Sequence, residues 1–261
     1  MVPQVIRYAR IQLPFNLPLA QEEVKAMPAY WKAHHNTMHY NGEWTVLPLR
    51  APGGDPGHIA GESMGKGDYA DTPFLDRSPA LRALLDSIPA PVLGARLLRL
   101  APGSLIKEHR DPDLSYELGE ARLHFPLFTH PGVDFAVGGE RVRMREGECW
   151  YINANLPHRV SNPGPSERIH LVIDCTVTEG LKRLFEQAAL PPGHADVERL
   201  DDALSSGPAP AEPPQRGYST ADAPQGPPPA EVIRALRLLN TETASRLADQ
   251  MEQELASNSK R

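Results

Sequence analysis

Short strand-like segments separated by strong turn signals fill residues 92 to 175, and this pattern restricts the fold more than any other feature. The segments span 92–100, 122–128, 133–137, 141–144, 148–152, 158–161 and 168–175. Turns rich in glycine and proline, such as Ala101-Pro102-Gly103, separate them. Many short strands at roughly regular spacing are typical of a β-sandwich or barrel. We therefore expect a mainly β protein with a jelly-roll core at about residues 90–178.

Two segments before this core have helical character. Residues 18–32 and 71–88 have the pattern of helices, and Asp71-Thr72-Pro73 supplies a cap followed by a proline in the first turn. Residues 50–68 are rich in glycine and proline and have no periodic apolar pattern. They predict a long irregular loop, the kind of segment that often lines a site. The sequence thus predicts flanking N-terminal helices around the jelly roll.

The last quarter of the chain differs in composition from the rest. Residues 205–229 contain eight prolines and three glycines among 25 residues, with almost no large apolar side chain. Such a segment buries too little surface to offset its ordering entropy. We expect a folded domain at 1–200, a disordered proline-rich linker at 201–229 and a separate amphipathic C-terminal helix at 230–261. That helix is either a solvated tail or a surface for self-association or partner docking.

Composition and charge exclude several classes of protein. The formal charge of −6, from 27 basic and 33 acidic residues, argues against a nucleic-acid partner, which requires a clustered basic excess. No secretory signal and no apolar run of membrane-spanning length is visible. Cys149 and Cys175 lie in strand-like segments without a CxxC spacing. These features predict buried thiols and a cytoplasmic protein with no membrane partner.

His109, Asp111 and His158 form a candidate metal site. His109 and Asp111 are two residues apart, so on an extended segment their side chains point to the same face. His158 follows Asp111 by 47 residues and begins another predicted strand just after Pro157. A jelly roll can bring these strands together, and two histidines with one carboxylate leave the three octahedral positions that iron(II) oxygenases require. From these residues alone, unrelated surface histidines remain the alternative.

Arg168, Arg122 and His124 are candidate anion-binding residues. Arg168 begins an apolar strand, which predicts an inward guanidinium whose fork suits the distal carboxylate of a dicarboxylate. Arg122 and His124 share a strand face and suit either a co-substrate oxygen or a substrate carboxylate. Taken singly, each is also explained by a structural ion pair. We expect His170, which shares a strand face with Arg168, to be a core histidine or one that supports the site residues from behind. Arg96 is a weaker candidate of the same kind as Arg168.

Five ordered runs of sequence share a pattern with a known family. They are Ile-Lys-Glu-His109-Arg-Asp111, Ala-Arg122-Leu-His124-Phe-Pro-Leu, Gly-Glu-Cys-Trp150-Tyr-Ile-Asn, Pro157-His158-Arg-Val-Ser-Asn and Arg168-Ile-His-Leu-Val-Ile-Asp174. Together they resemble the aspartyl/asparaginyl β-hydroxylase family, to which bacterial proline cis-hydroxylases are also similar. The resemblance spans roughly residues 90–178, with looser similarity at Trp31, His34, Asn36, Trp44 and Arg50.

The resemblance implies a double-stranded β-helix that uses Fe(II), O2 and 2-oxoglutarate to hydroxylate an amino-acid side chain. It implies His109, Asp111 and His158 as the metal ligands at the catalytic centre, and Arg168, Arg122 and His124 as residues on 2-oxoglutarate. Animal members that hydroxylate peptides resemble a two-histidine site without the carboxylate. Because this chain has Asp111, the resemblance favours the bacterial branch, where free amino acids such as proline or peptide natural products are substrates.

The stretch 31–68 is a candidate substrate-binding segment. Its polar and aromatic side chains include His34, His35, Asn36, Trp44 and Arg50, and Arg50 is suited to pair with a substrate carboxylate. A surface loop with scattered polar groups is an equal alternative. Two other functions stay open: a cupin-type isomerase or epimerase, and a jelly-roll binding protein without catalysis that acts through its C-terminal helix.

Overall fold

The computed structural model describes residues 5–59, 68–188, 197–199 and 249. The chain divides into two units, Met1–Pro208 and Ala209–Arg261, and the fold below is that of the first. The predicted linker at 201–229 and the predicted helix at 230–261 lie outside the described residues, apart from Asp249. Within the part of the chain that the structure describes, no helix has the length and apolarity needed to span a bilayer.

The apolar segments of the core pair into a larger antiparallel sheet of eight strands, numbered here in chain order. In spatial order it contains β1 (Tyr8–Ile11), β11 (Cys149–Ile152), β8 (Glu120–Phe128), β13 (Arg168–Thr176), β6 (Val92–Leu100), β4 (Trp44–Pro52) and β2 (Lys32–Ala33), and β5 (Tyr69–Asp71) pairs with β4. The central strand β13 is buried along eight of its nine residues. The alternate residues Ile169, Leu171, Ile173 and Cys175 pack in one hydrophobic core. Arg168, His170 and Asp174 therefore lie on the opposite face of the strand.

A smaller sheet of six strands faces the larger one. It contains β14 (Val197–Arg199), β10 (Glu140–Val142), β9 (Asp134–Val137), β12 (His158–Asn162), β7 (Ser104–His109) and β3 (Tyr40–Asn41). Side chains of both sheets interlock between them, for example Val46 and Leu98 from the larger sheet with Phe135 and Val160 from the smaller. Two packed antiparallel sheets of this kind form a jelly roll. The predicted fold class is confirmed.

Three helices cover the outer face of the larger sheet. They are α1 (Leu17–Lys25), α2 (Pro79–Asp86) and α3 (Glu179–Gln187). Successive strand residues point to opposite faces, so Leu97 and Leu123 point away from the space between the sheets. They pack in a second core against the helices, with Leu81, Leu181 and Phe185. This second core leaves the space between the sheets available for a site.

The predicted helices are real but shorter than expected. The helix expected at 18–32 ends at Lys25, because Pro28 disfavours helical backbone in the residue before it. The helix expected at 71–88 begins at Pro79. The prediction was wrong for the residues before Pro79, because Asp71 belongs to β5 and pairs with Arg50. α3 was not predicted.

Strands β1 to β5, β7 and β14 were also missed. The end of β4 (Trp44–Pro52) overlaps the stretch 50–68 that was expected to be an irregular loop. Its prolines hide it in the sequence, since proline cannot donate to a strand ladder. Pro48 lies where the register between β4 and β6 shifts, and such a shift accommodates the missing N–H.

Candidate metal centre and ligand cavity

The two histidines of the predicted metal site lie opposite each other on neighbouring strands. His109 ends β7 and His158 begins β12, and the two residues are direct cross-strand partners. Asp111 follows in the loop after β7, where its N–H donates to the Ala154 carbonyl at 2.9 Å. One ligand atom from each of His109, Asp111 and His158 lies within 4.8 Å of the others. The structure therefore brings the three predicted ligands together.

Backbone carbonyls orient both imidazoles. The Nδ1 atom of His109 lies 2.8 Å from the Lys107 carbonyl, and that of His158 lies 3.0 Å from the Leu156 carbonyl. Because a carbonyl only accepts, each Nδ1 carries the hydrogen and each Nε2 presents a lone pair. Burial, reinforced by the charge of His109, lowers the pKa of His158 to about 4. His158 is therefore neutral at physiological pH, as a metal ligand has to be.

Asp111 supplies the negative charge of the cluster. Burial opposes its ionisation, but the Arg122 guanidinium, together with the neighbouring histidines, outweighs burial and lowers the pKa of Asp111. Two oriented imidazole lone pairs and one carboxylate are the donor set that divalent iron accepts, with further coordination positions left for other ligands. The residues present therefore fit a metal of this type.

A buried ion cluster adjoins Asp111. Both oxygens of Asp174 accept from Arg122, through Nε at 2.7 Å and Nη2 at 3.1 Å, and Oδ2 also accepts from Arg96 Nη1 at 3.0 Å. The remaining terminal nitrogen of Arg122 donates to Asp111. Burial raises the pKa of Asp174, but the two guanidinium groups outweigh burial and bring the pKa to about 2. Asp174 thus holds two arginines in place beside the metal ligands.

Arg168 is the least compensated charge of the site. It is 1% exposed, and its recorded hydrogen bond runs from Nη2 to Nδ1 of His170 at 2.8 Å. Its buried Nε has no partner among the described residues. Burial alone lowers the pKa of Arg168 to about 9. A buried guanidinium without an acidic partner is costly unless an anionic ligand compensates it.

His124 lies near Arg168 and is also buried. Its Nδ1 has no hydrogen-bond partner within the described part of the chain, and its ring packs edge-on against Phe135 with centroids 5.6 Å apart. Burial first, then the charge of Arg168, lowers the pKa of His124 well below its ordinary value. The imidazole is therefore neutral, and its free nitrogen can form one hydrogen bond with a ligand.

These groups share one cavity of about 670 Å³ between the two sheets. The three predicted metal ligands, Arg168, Arg122, His124 and Arg96 all contribute to its walls. Apolar side chains complete it, among them Leu98, Ile106, Phe135, Ile152 and Val160. A mostly apolar cleft with a few converging polar groups is the usual form of a small-molecule site.

The predicted substrate residues divide into two groups. His35, Asn36 and Trp44 line the cavity together with His34, whose ring stacks on Trp44 with centroids 3.5 Å apart. Arg50 does not line it. Its guanidinium donates to Asp71 and to the Tyr69 and Val92 carbonyls, so the expectation that Arg50 binds a substrate carboxylate is corrected.

Asp174 and Arg96 are the site residues that the sequence reasoning undervalued. Asp174 was quoted only within a motif, and Arg96 was a weak candidate. Both are buried charged residues on largely buried strands. A charged residue is almost never fully buried unless it is paired, so an acidic and a basic residue on two such strands were a signal that they meet.

The fold and the cluster define a jelly-roll protein with a two-histidine, one-carboxylate metal centre. A family model described as aspartyl/asparaginyl β-hydroxylase matches residues 16–177. Because this match covers more than half of the chain, the protein belongs to the aspartyl/asparaginyl β-hydroxylase family. The resemblance seen in the five sequence runs is confirmed.

Individual relatives match more weakly. An L-proline cis-4-hydroxylase of Rhizobium meliloti (strain 1021) is 33% identical over 97 residues, which are 35% of this chain and 34% of the relative. This chain thus aligns with about a third of that relative's length. A 2OG-Fe(II) oxygenase family protein of Burkholderia pseudomallei has a TM-score of 0.42 at 16% identity, with coverage of 61% of this chain and 78% of its own. A viral collagen prolyl hydroxylase of Paramecium Bursaria Chlorella virus-1 has a TM-score of 0.40 at 13% identity, with coverage of 66% and 97%.

Proposed function

We propose that the protein is an Fe(II)- and 2-oxoglutarate-dependent dioxygenase that hydroxylates a carbon of an amino acid. The observation that carries this proposal is Arg168, a buried guanidinium with no acidic partner among the described residues, in the cavity that holds the metal cluster. The metal centre has coordination positions left for other ligands, and the same cavity also contains a separate buried cation. Together these two features suit the two ends of a chelating dicarboxylate.

In this proposal His109, Asp111 and His158 hold the iron through two Nε2 atoms and a carboxylate. Arg168 binds the distal carboxylate of 2-oxoglutarate, and His124 donates or accepts one further hydrogen bond. Bound iron and 2-oxoglutarate supply oxygen chemistry in which one atom of O2 enters a substrate C–H bond, the other enters succinate, and CO2 is released. The apolar walls exclude water, and the chain's own contribution is binding and orientation.

The substrate we propose is a free amino acid with its carboxylate near Arg96 and Arg122. Asp174 holds both guanidinium groups, and Asp111 becomes committed to the metal, so this side of the cavity has an excess of positive charge. The indole N–H of Trp44 is also buried in this cavity wall and has no acceptor among the described residues. It can donate to a substrate oxygen. The relative named as an L-proline cis-4-hydroxylase makes L-proline the first compound to test.

The test is turnover by protein purified without oxygen and loaded with Fe(II). L-proline, other free L-amino acids and short peptides are supplied with 2-oxoglutarate and O2, and succinate and the mass of one added oxygen atom are measured. We expect both products, and we expect Asp111→Ala and His158→Ala to lose them. L-prolinamide, which lacks the carboxylate, serves as the matched substrate control and should react at least about tenfold more slowly.

Arg50→Ala is the matched control variant, because Arg50 lies outside the cavity. If Asp111→Ala and His158→Ala form succinate as fast as the unaltered protein, the metal-ligand assignment is wrong. If L-prolinamide and L-proline react equally fast, the carboxylate does not contribute to recognition.

A further inference from the structure

A second cavity, of about 320 Å³, shares the wall residue Phe135 with the ligand cavity. Its walls include the apolar side chains of Val133, Val142 and Met144, and His170 also contributes to them. The proposed reaction uses none of these four. The volume is at the lower end of the range of about 300–1,000 Å³ found for small-molecule pockets.

The tautomer of His170 follows from its contact with Arg168. A guanidinium only donates, so Nδ1 of His170 accepts the 2.8 Å hydrogen bond from Arg168. Burial first, then the charge of Arg168, lowers the pKa of His170 well below its ordinary value. The ring is therefore neutral, and its one hydrogen lies on Nε2, at the edge away from Nδ1.

This Nε2–H lacks an acceptor. His170 is 2% exposed, and its Nε2 has no hydrogen-bond partner within the described ranges. Other polar groups at the second cavity are engaged: His130 bonds to Asn162 at 2.9 Å, and Glu146 accepts from the Thr129 N–H at 2.9 Å. Arg143 and Arg145 also line the cavity, and each has interaction partners of its own. Of the five buried side-chain atoms without a partner in the described residues, only Nε2 of His170 belongs to a residue that lines this cavity.

We propose that the second cavity binds a compact neutral molecule with an apolar body and one carbonyl oxygen, which accepts from His170 Nε2. One unpaired donor matches one acceptor, and the apolar walls match the body of the ligand. The proposal does not depend on the proposed function, since it involves neither the metal nor 2-oxoglutarate.

The test uses the full-length protein without added metal, and cyclopentanone as the probe. Nuclear magnetic resonance follows the His170 imidazole and the Met144 methyl group during titration. We expect saturable shifts of both signals with a Kd on the order of 1 mM, the range for a probe of this size. Cyclopentane has the same ring without the oxygen and should bind at least about tenfold more weakly.

Met144→Trp and Val142→Phe each fill the cavity and should abolish the shift of the His170 imidazole signal, which both variants retain. Two variants are used in case one of them misfolds. Leu98→Met alters only the ligand cavity and should leave cyclopentanone binding unchanged, because Leu98 does not line the second cavity. The proposal is overturned if the shifts do not saturate, as expected when water satisfies His170. It is also overturned if cyclopentane binds equally well, or if binding survives both filling variants.

Discussion

Replacement of Arg168 by methionine should stabilise the protein and at the same time remove binding of 2-oxoglutarate. Burial alone lowers the pKa of Arg168 to about 9, and a shift of this size corresponds to a cost of roughly 5 kcal/mol to the folded state. Because the folded pKa lies below the unfolded one, the cost is fully present below pH 9 and disappears only as the pH rises toward the pKa of the unfolded state.

Several effects make the measurable increase in the free energy of unfolding smaller than this cost. Arg168→Met loses the hydrogen bond to His170, and relaxation of the structure around a buried charge reduces its cost. We expect a net increase of about 1–4 kcal/mol in the free energy of unfolding at pH 7, the range seen when buried ionic groups are replaced by apolar ones of similar volume. Urea denaturation measures it.

The second part of the prediction, the loss of 2-oxoglutarate binding, is measured by calorimetry of the Fe(II)-loaded protein without oxygen. The Kd of 2-oxoglutarate should rise at least about 100-fold, because a charge-assisted bidentate contact is lost. Arg96→Met is the matched control. Arg96 has an acidic partner in Asp174, so its loss should destabilise the protein by about 1–3 kcal/mol. If Arg168→Met is less stable than the unaltered protein, or binds 2-oxoglutarate equally well, the reasoning about the uncompensated guanidinium is wrong.

Three further predictions concern the ion cluster, the core and Arg50. Asp174→Asn should destabilise the protein by about 2–5 kcal/mol at pH 7. Because the folded pKa of about 2 lies below the ordinary 3.8, the difference in the free energy of unfolding between the two proteins should shrink as the pH falls from 4 toward 2, as urea titrations can measure. Leu171→Ala, at a fully buried position, should cost about 2–5 kcal/mol, and Leu118→Ala, at a 58% exposed position, less than about 0.5 kcal/mol by the same assay. Arg50→Ala should leave the KM for the amino-acid substrate within about twofold while lowering the melting temperature, since its guanidinium is held by Asp71; a large rise in KM would return Arg50 to the substrate site.

Local patterns in the sequence were enough to predict the jelly-roll core and most of its strands. Alternating and continuous apolar runs between glycine and proline turns depend only on neighbouring residues, so the strands of the 122–175 region were predicted correctly. The same reasoning failed for β4, where Pro48 and Pro52 conceal a strand that pairing with β6 stabilises. Tertiary pairing overrides local preference at such positions.

The sequence also selected the metal trio, because the spacing of His109 and Asp111 and the ordered motifs around His158 are linear features. Only the tertiary structure decided what each charge does. It paired Arg50 with Asp71 and Arg122 with Asp174, and it left Arg168 without an acidic partner among the described residues. Ion pairing depends on which strands become neighbours, and Arg122 and Asp174 are 52 residues apart in the chain. The sequence determined which groups could act, and the sheet register determined which of them remain available to a ligand.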